Sequence, residues 1–493
     1  MLSLFYLIFI GFFLISISWF YRINYSYKWL RTERNYSLQQ LSFIKRKVFI
    51  LIPVLDEINR IQKAVEYFNK SFKYDYLKIV LITTNNEFIE LKKKNERIIK
   101  KVSKMKNTRD IILYIKKMNI AEIQIDLNDT KISIIHKLTR FLLNRKNTID
   151  IARELEKNNN KVIVINYPRY GGKMAHQLNY AIRNIIDEGI DDNSLFCVYN
   201  ADSRPEPQTL LYVLKKLDNE HRVFQQYGNY LNNSFALNGF IRGSILKSAA
   251  IWQTRWSIGF EIFNALKQFR FKNNSMSFNY PLNYCVGHGL FFTKSIFDNF
   301  IFNEYTHNED AIFGMELSYN REFINPIPYF DLSDTPDTLR SLYLQKASWY
   351  FGPIQSFVYY RQILNKLDIK DIREKLKLFI LASKLFSHAI YWFLGPVFLF
   401  LSFIVCLWSL NIVWWIFFIF EIILFLILPN ISITMILSKL KNKKMELLIK
   451  DIFLGSLFCY AMHGLSACRT LIQIFFCGIF SVPIQKHKTE MVR

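Results

Sequence analysis

Val48-Phe49-Ile50-Leu51-Ile52-Pro53-Val54-Leu55-Asp56-Glu57 is the stretch from which the fold is read. Its apolar run is too short for a buried helix, is rich in branched side chains and stops at a proline, which predicts a strand buried on both faces. Residues 56–68 then alternate with a helical period. The same unit recurs: residues 79–83 form a second apolar run, ending in Thr84-Asn85-Asn86-Glu87; residues 161–165 form a third; residues 195–199 form a fourth, ending in Asn200-Ala201-Asp202. Strands that alternate with helices predict an α/β fold with a mainly parallel, Rossmann-like sheet, whose ligand sits at the carboxyl ends of the strands. Asp56-Glu57, Asn85-Asn86-Glu87 and Asn200-Ala201-Asp202 are therefore expected along one edge. Residues 88–160, dense in lysine, read as a partly helical insertion.

The whole chain has 493 residues, 51% of them apolar, with 64 Lys+Arg against 40 Asp+Glu and a net charge of +24. That apolar fraction excludes a disordered chain, and 16 Gly with 12 Pro exclude a collagen-like one. The six cysteines, Cys197, Cys285, Cys406, Cys459, Cys468 and Cys477, show no CxxC spacing and read as buried free thiols. High basicity often signals nucleic acid, but no helix-turn-helix, zinc-knuckle or RNP pattern is present, so none is expected as a partner. Anionic headgroups and phosphates are the better counterparts.

Charge and hydropathy are segregated along the chain. Residues 2–20 carry no charge and nearly span a hydrocarbon core at about 1.5 Å per residue. No basic residue precedes them and Trp19-Phe20-Tyr21 stands where a cleavage site would need small side chains, so a retained anchor is expected rather than a signal peptide. Arg22, Lys28, Arg31 and Arg34 follow, which by the positive-inside rule places the next domain in the cytoplasm. Residues 389–410, 412–437 and 452–484 are three more apolar blocks, with Glu421, His463 and Arg469 inside them and a basic connector, Lys439, Lys441, Lys443, Lys444 and Lys450, before the last. The expectation is an integral membrane protein, of a bacterial inner membrane, with a transmembrane helix at 2–20, a catalytic domain at 45–352, interfacial helices at 353–388 and about three spans at 389–484. Arg469 sits badly in a span, since a basic group at mid-bilayer costs about 2.5–3.5 kcal/mol.

Five short motifs lie in the middle of the chain. They are the Ile52-to-Glu57 stretch, Gly171-Gly172-Lys173 leading into a helix that carries Asn179, Asn200-Ala201-Asp202, His307-Asn308-Glu309-Asp310, and Gln345-Lys346-Ala347-Ser348-Trp349. A glycine-rich turn opening a helix beside Lys173 suits a phosphate. Carboxylate and amide oxygens after a buried strand suit a hard divalent cation shared with a diphosphate, or a plain Asx turn.

In this order the motifs resemble family 2 glycosyltransferases with a GT-A fold, especially the membrane-embedded branch of cellulose, chitin and hyaluronan synthases. The resemblance covers roughly residues 48–352 and the flanking helices. It implies an inverting transferase that moves a sugar from a nucleotide sugar, a UDP-sugar first, to a saccharide or lipid-linked acceptor in polysaccharide synthesis at the bilayer. It also implies a divalent cation, Mg²⁺ or Mn²⁺, on Asp202. Pro53, Asp56, Glu57, Asn85, Lys173, Asn179, Asn200 and Asp202 would bind the donor, Asp310 would be the general base with Glu309 beside it, and His288, Gln345 and Trp349 would meet the acceptor. Transfer onto a polyprenyl phosphate, or an inactive assembly subunit, are the alternatives. The chain departs from the family pattern in three places: Asn200 replaces the first acid of D-x-D, Thr84-Asn85-Asn86-Glu87 replaces the acidic uracil cluster, and Ser348 replaces the arginine of Q-x-x-R-W.

Overall fold

The computed structural model describes residues 2–35, 45–117, 129–271, 281–306, 308–409, 411–441 and 449–480. His307, Leu410, Lys443, Lys444, residues 481–484 and the middle of the lysine-rich insertion (118–128) carry expectations that lie outside the described residues.

The strands are β1 (Val48–Pro53), β2 (Leu77–Thr84), β3 (Val162–Tyr167), β4 (Leu195–Val198), β5 (Val223–Gln225), β6 (Gly228–Asn229), β7 (Leu290–Thr293), β8 (Ile324–Pro326) and β9 (Asp331–Leu332). Seven form one sheet in the order β3-β2-β1-β4-β7-β5-β8, and β6 pairs with β9 beside it. The pairs β3/β2, β2/β1, β1/β4 and β5/β8 are parallel, and β7 runs antiparallel between β4 and β5. The fold is mixed α/β about a parallel-rich sheet, with several apolar helices attached.

Alternation in β1 explains why the sheet is covered on both sides. Val48, Ile50 and Ile52 pack with Ala64, Val65 and Phe68 of helix Ile58–Ser71 on one face. Phe49 and Leu51 meet Leu178, Ala181 and Ile182 of helix Met174–Asp187 on the other. Successive side chains of a strand point to opposite faces, so a continuous apolar run fills two cores at once. The described part of the insertion is helical, Asn85–Lys104, Thr108–Lys117, Lys131–Asn144 and Thr148–Asn158, and Ile98, Val102, Ile134 and Leu138 give it a small core of its own. Cys197, Cys285, Cys406 and Cys459 are buried free thiols, Cys468 is a free thiol that is only half-buried, against expectation, and the Cys477 side chain lies outside the described residues.

Among the described residues four helices are long and apolar enough to cross a membrane: Tyr6–Arg34, Ile372–Ser409, Ile412–Leu440 and Lys450–Phe476. The second and third form a hairpin, with Cys406 Sγ 3.3 Å from Trp414 O. The first lies against the third through Tyr6–Trp414 and Phe12–Phe425 ring contacts at 5.1 and 4.8 Å. Helix Phe240–Trp256, which carries no periodic signal in the sequence, joins this bundle to the sheet. Its Arg255 donates to Phe425 O at 2.8 Å and stacks on Trp19 at 4.5 Å.

Candidate functional site

The expected polar groups do share the carboxyl edge of the parallel strands, and the folding of each loop explains how. After β1 the backbone turns at Asp56, whose φ of 54° is left-handed, and helix Ile58–Ser71 starts two residues later than residues 56–68 suggested. Pro53 ends β1, and the turn behind it is held by buried Glu87: its Oε2 accepts from Asp56 N at 3.2 Å and its Oε1 from Thr148 N at 2.8 Å. Glu57 N donates to Thr148 Oγ1 at 3.2 Å, so the insertion is tied to the site.

Asn85 works within the fold. Its Nδ2 donates to Pro168 O at 2.8 Å and its Oδ1 accepts from Asn166 Nδ2 at 2.8 Å, linking the ends of β2 and β3. Asn86 holds the glycine turn, accepting from Gly171 N at 2.6 Å. Gly171 has φ +90°, and a Cβ at Gly172 would stand 2.5 Å from the Tyr167 ring, so both positions require glycine. The turn delivers Lys173, whose Nζ donates to Tyr305 O at 2.7 Å, to the start of helix Met174–Asp187. Burial lowers the Lys173 pKa, with the Glu309 charge opposing it. Asn179 is buried and spends its amide within the fold, donating to the Phe302 carbonyl at 2.8 Å and to Glu304 Oε1 at 3.0 Å and accepting the Phe302 N–H at 3.1 Å.

After β4, Asn200-Ala201-Asp202-Ser203 closes as a turn, with Ser203 N donating to Asn200 O at 3.1 Å and Asn200 N to Ser203 Oγ at 3.2 Å. Asp202 is left half-buried at its tip. The loop before β7 is laid on this same end of β4: Gly289 N donates to Val198 O at 2.7 Å, while Gln225 accepts from Val286 N at 3.0 Å and donates to His288 O at 2.8 Å. That clamp brings His288 to the edge where Asp202 stands. A Cβ on Gly287 would lie 3.2 Å from Asp310 Oδ2, so the base candidate packs directly against this loop.

Helix Glu309–Asn320 starts with Asn308 at its N-cap, and Asp310 Oδ1 accepts the Ala311 N–H at 2.8 Å, which orients the carboxyl group. Glu309 is buried. Helix Leu339–Ile354 approaches through Gly352, where a Cβ would be 3.4 Å from Asn308 Nδ2. Trp349, one turn earlier, makes an edge contact with Tyr230 at 6.2 Å, and Lys346 Nζ lies 4.9 Å from its ring. Gln345 is half-buried on this helix.

Two features had no usable signal in the sequence. Asp331, a lone acid between Phe330 and Leu332, is 1% exposed, accepts from Arg204 N at 2.6 Å and puts Oδ2 2.8 Å from His288 Nδ1. Burial lowers the His288 pKa, but the bond to Asp331 and its charge, then the charge of Asp202, outweigh it and leave the pKa raised. Lys346 lies inside a motif but is not one of its defining positions. It is buried, donates to Gln253 Oε1 at 2.7 Å, and burial lowers its pKa to about 8.

No family model matches the chain, and no curated protein matches it. Among solved structures it is similar to the mannosyltransferase PcManGT from Pyrobaculum calidifontis in complex with GDP-Man and Mn2+, at 11% identity and a TM-score of 0.42, covering 95% of this chain and 99% of that one.

Proposed function

We propose that the chain is an inverting glycosyltransferase of the GT-A type, related to family 2, whose catalytic domain spans residues 45–352 and faces the cytoplasm beside a bilayer. The observation that carries this reading is convergence. Four loops far apart in sequence bring Asp202, His288, Lys173 and Asp310 to one edge of the sheet, with Asp310 against Gly287 and the Asp202 charge felt at His288.

The chemistry follows from those groups. An acceptor hydroxyl must lose its proton as it attacks the sugar carbon, and Asp310, whose carboxyl group accepts the Ala311 N–H, is the base assigned to take it. The departing nucleotide diphosphate gathers negative charge. The imidazolium of His288, Lys173 and the amino end of helix Met174–Asp187 oppose that charge from the protein side. Trp349 offers an aromatic face to an acceptor sugar.

Among the described residues no three His, Cys, Asp or Glu side chains are grouped to hold a metal ion alone. A single half-buried carboxylate, Asp202, fits a cation that keeps several waters and shares the oxygens of a diphosphate. Mg²⁺ or Mn²⁺ held there would supply further charge for the leaving group. The donor is a nucleotide sugar, with UDP-sugars first to be tested, and the acceptor a saccharide in polysaccharide synthesis at the membrane surface.

The full chain purified in detergent, incubated with UDP- and GDP-linked hexoses and N-acetylhexosamines in Mg²⁺ and Mn²⁺, should release nucleotide diphosphate from at least one donor. Release from none would contradict the assignment and favour a non-catalytic assembly subunit.

A further inference from the structure

The last apolar helix does not run beside the others. Helices Ile372–Ser409 and Ile412–Leu440 are antiparallel and joined by the turn at Asn411. Tyr460 of helix Ile449–Phe480 touches both of them, its hydroxyl against Gly395 and its ring 5.4 Å from Phe425. Gly395 and Phe425 lie about 16 and 14 residues from Asn411, hence about 24 and 21 Å down their helices.

From Tyr460 the contacts descend in both directions. On one side Asn430 Nδ2 donates to Ser456 Oγ at 3.0 Å. On the other, Trp392 stacks on His463 at 4.0 Å and 2°, and Ala389 packs with Ala467 and Tyr350. Asn430 and Ala389 lie about 28 and 33 Å below the same turn. A helix parallel to the spans would climb one partner steadily. This one has both ends of its 456–467 segment at nearly equal depth, near the far boundary of a hydrocarbon core about 30 Å thick.

Its neighbours agree. Helix Phe240–Trp256 lies alongside, with Ser244 Oγ donating to Asp451 Oδ1 at 2.6 Å and the Trp252 ring in tilted contact with Tyr460 at 5.2 Å. Further on, Thr470 Oγ1 donates to Ala347 O at 2.8 Å on the helix that carries Trp349. The face turned away from the protein is apolar: Phe458, Leu465, Ile472 and Phe476 are 55, 61, 56 and 52% exposed at helical spacing. Arg469 lies with its guanidinium 5.5 Å from the Tyr343 ring, at the polar boundary rather than mid-bilayer. The sequence after the helix carries Lys486, Lys488 and Arg493, a charge that favours the same side as the basic connector.

We infer that helix Ile449–Phe480 lies in the plane of the membrane, in the leaflet on the side of the sheet, with lipid as the partner of its exposed face. Of the four apolar helices among the described residues, three then cross the bilayer. The Trp349 helix is thereby anchored at the lipid surface, whatever the reaction catalysed there.

Single-cysteine additions in the full chain test this with an impermeant maleimide, in intact and permeabilised cells, against the unsubstituted chain. Ser103→Cys in the insertion and Asn411→Cys in the turn define the two sides. Thr489→Cys should label with Ser103→Cys, only after permeabilisation. Labelling of Thr489→Cys together with Asn411→Cys would mean that the last helix crosses, and would overturn the inference. So would labelling of Ser103→Cys and Asn411→Cys on one side, since the depth argument needs the hairpin to span.

Discussion

Asp331 holds His288 in place: its Oδ2 stands 2.8 Å from Nδ1 while its Oδ1 accepts the N–H of Arg204, next to the turn of Asp202. The pair fixes which ring nitrogen faces the site and keeps the ring cationic to higher pH than an ordinary histidine.

Asp331→Asn should therefore lower turnover by about 10–100-fold, the effect of losing a charge-assisted hydrogen bond worth about 1.5–3 kcal/mol. The pH profile should move as well. A histidine needed as imidazolium loses activity as pH rises through its raised pKa, so the alkaline limb should shift to lower pH in the variant. An unchanged limb with reduced turnover would mean a purely structural role for Asp331.

Asp202→Ala should abolish the divalent-cation dependence of donor binding, because Asn200 leaves only a neutral amide beside it. Titration calorimetry with a nucleotide sugar in Mn²⁺ and in EDTA reads this directly. Equal donor affinity in both conditions for the unsubstituted chain would rule the cation out.

Glu261 is expected to make the protein less stable as pH rises. Burial raises its carboxyl pKa to about 7, with hydrogen bonds from Ser257 and Tyr284 and the His288 charge opposing, and Asp310 adding to the rise. The folded state thus holds a proton that the unfolded chain gives up near pH 4.5, so stability falls between those values and stays lower above them. Glu261→Gln should flatten this dependence and raise the melting temperature at pH 8. A variant that melts lower than the unsubstituted chain at pH 8 would contradict it.

Much of this edge was legible in the residue order, because β1 to β4 are each built on an apolar run and three of them, β1, β2 and β4, are followed by polar clusters. β1 appears at its expected bounds and β2 to β4 within two residues of theirs. β5, β7 and β8 were not readable: three or four residues give no period, and their pairing is set by long-range contacts such as the Gln225 clamp on His288. Asp331 was invisible for a related reason. A single acid in Phe330-Asp331-Leu332 gains meaning only when β9 folds beside the β4 turn. Apolar length likewise marks residues 452–484, and helix Lys450–Phe476 is long and apolar enough to cross, but its partners such as Trp392 and Asn430 are not named by composition.

The central claim is that Asp310 takes the acceptor proton, and one comparison addresses it. Asp310→Asn keeps the shape of the carboxylate and should leave nucleotide-sugar affinity within about twofold, while single-turnover transfer to the acceptor falls by about 10²–10⁴-fold. Transfer at more than half the rate of the unsubstituted chain, with donor binding intact, would contradict the account.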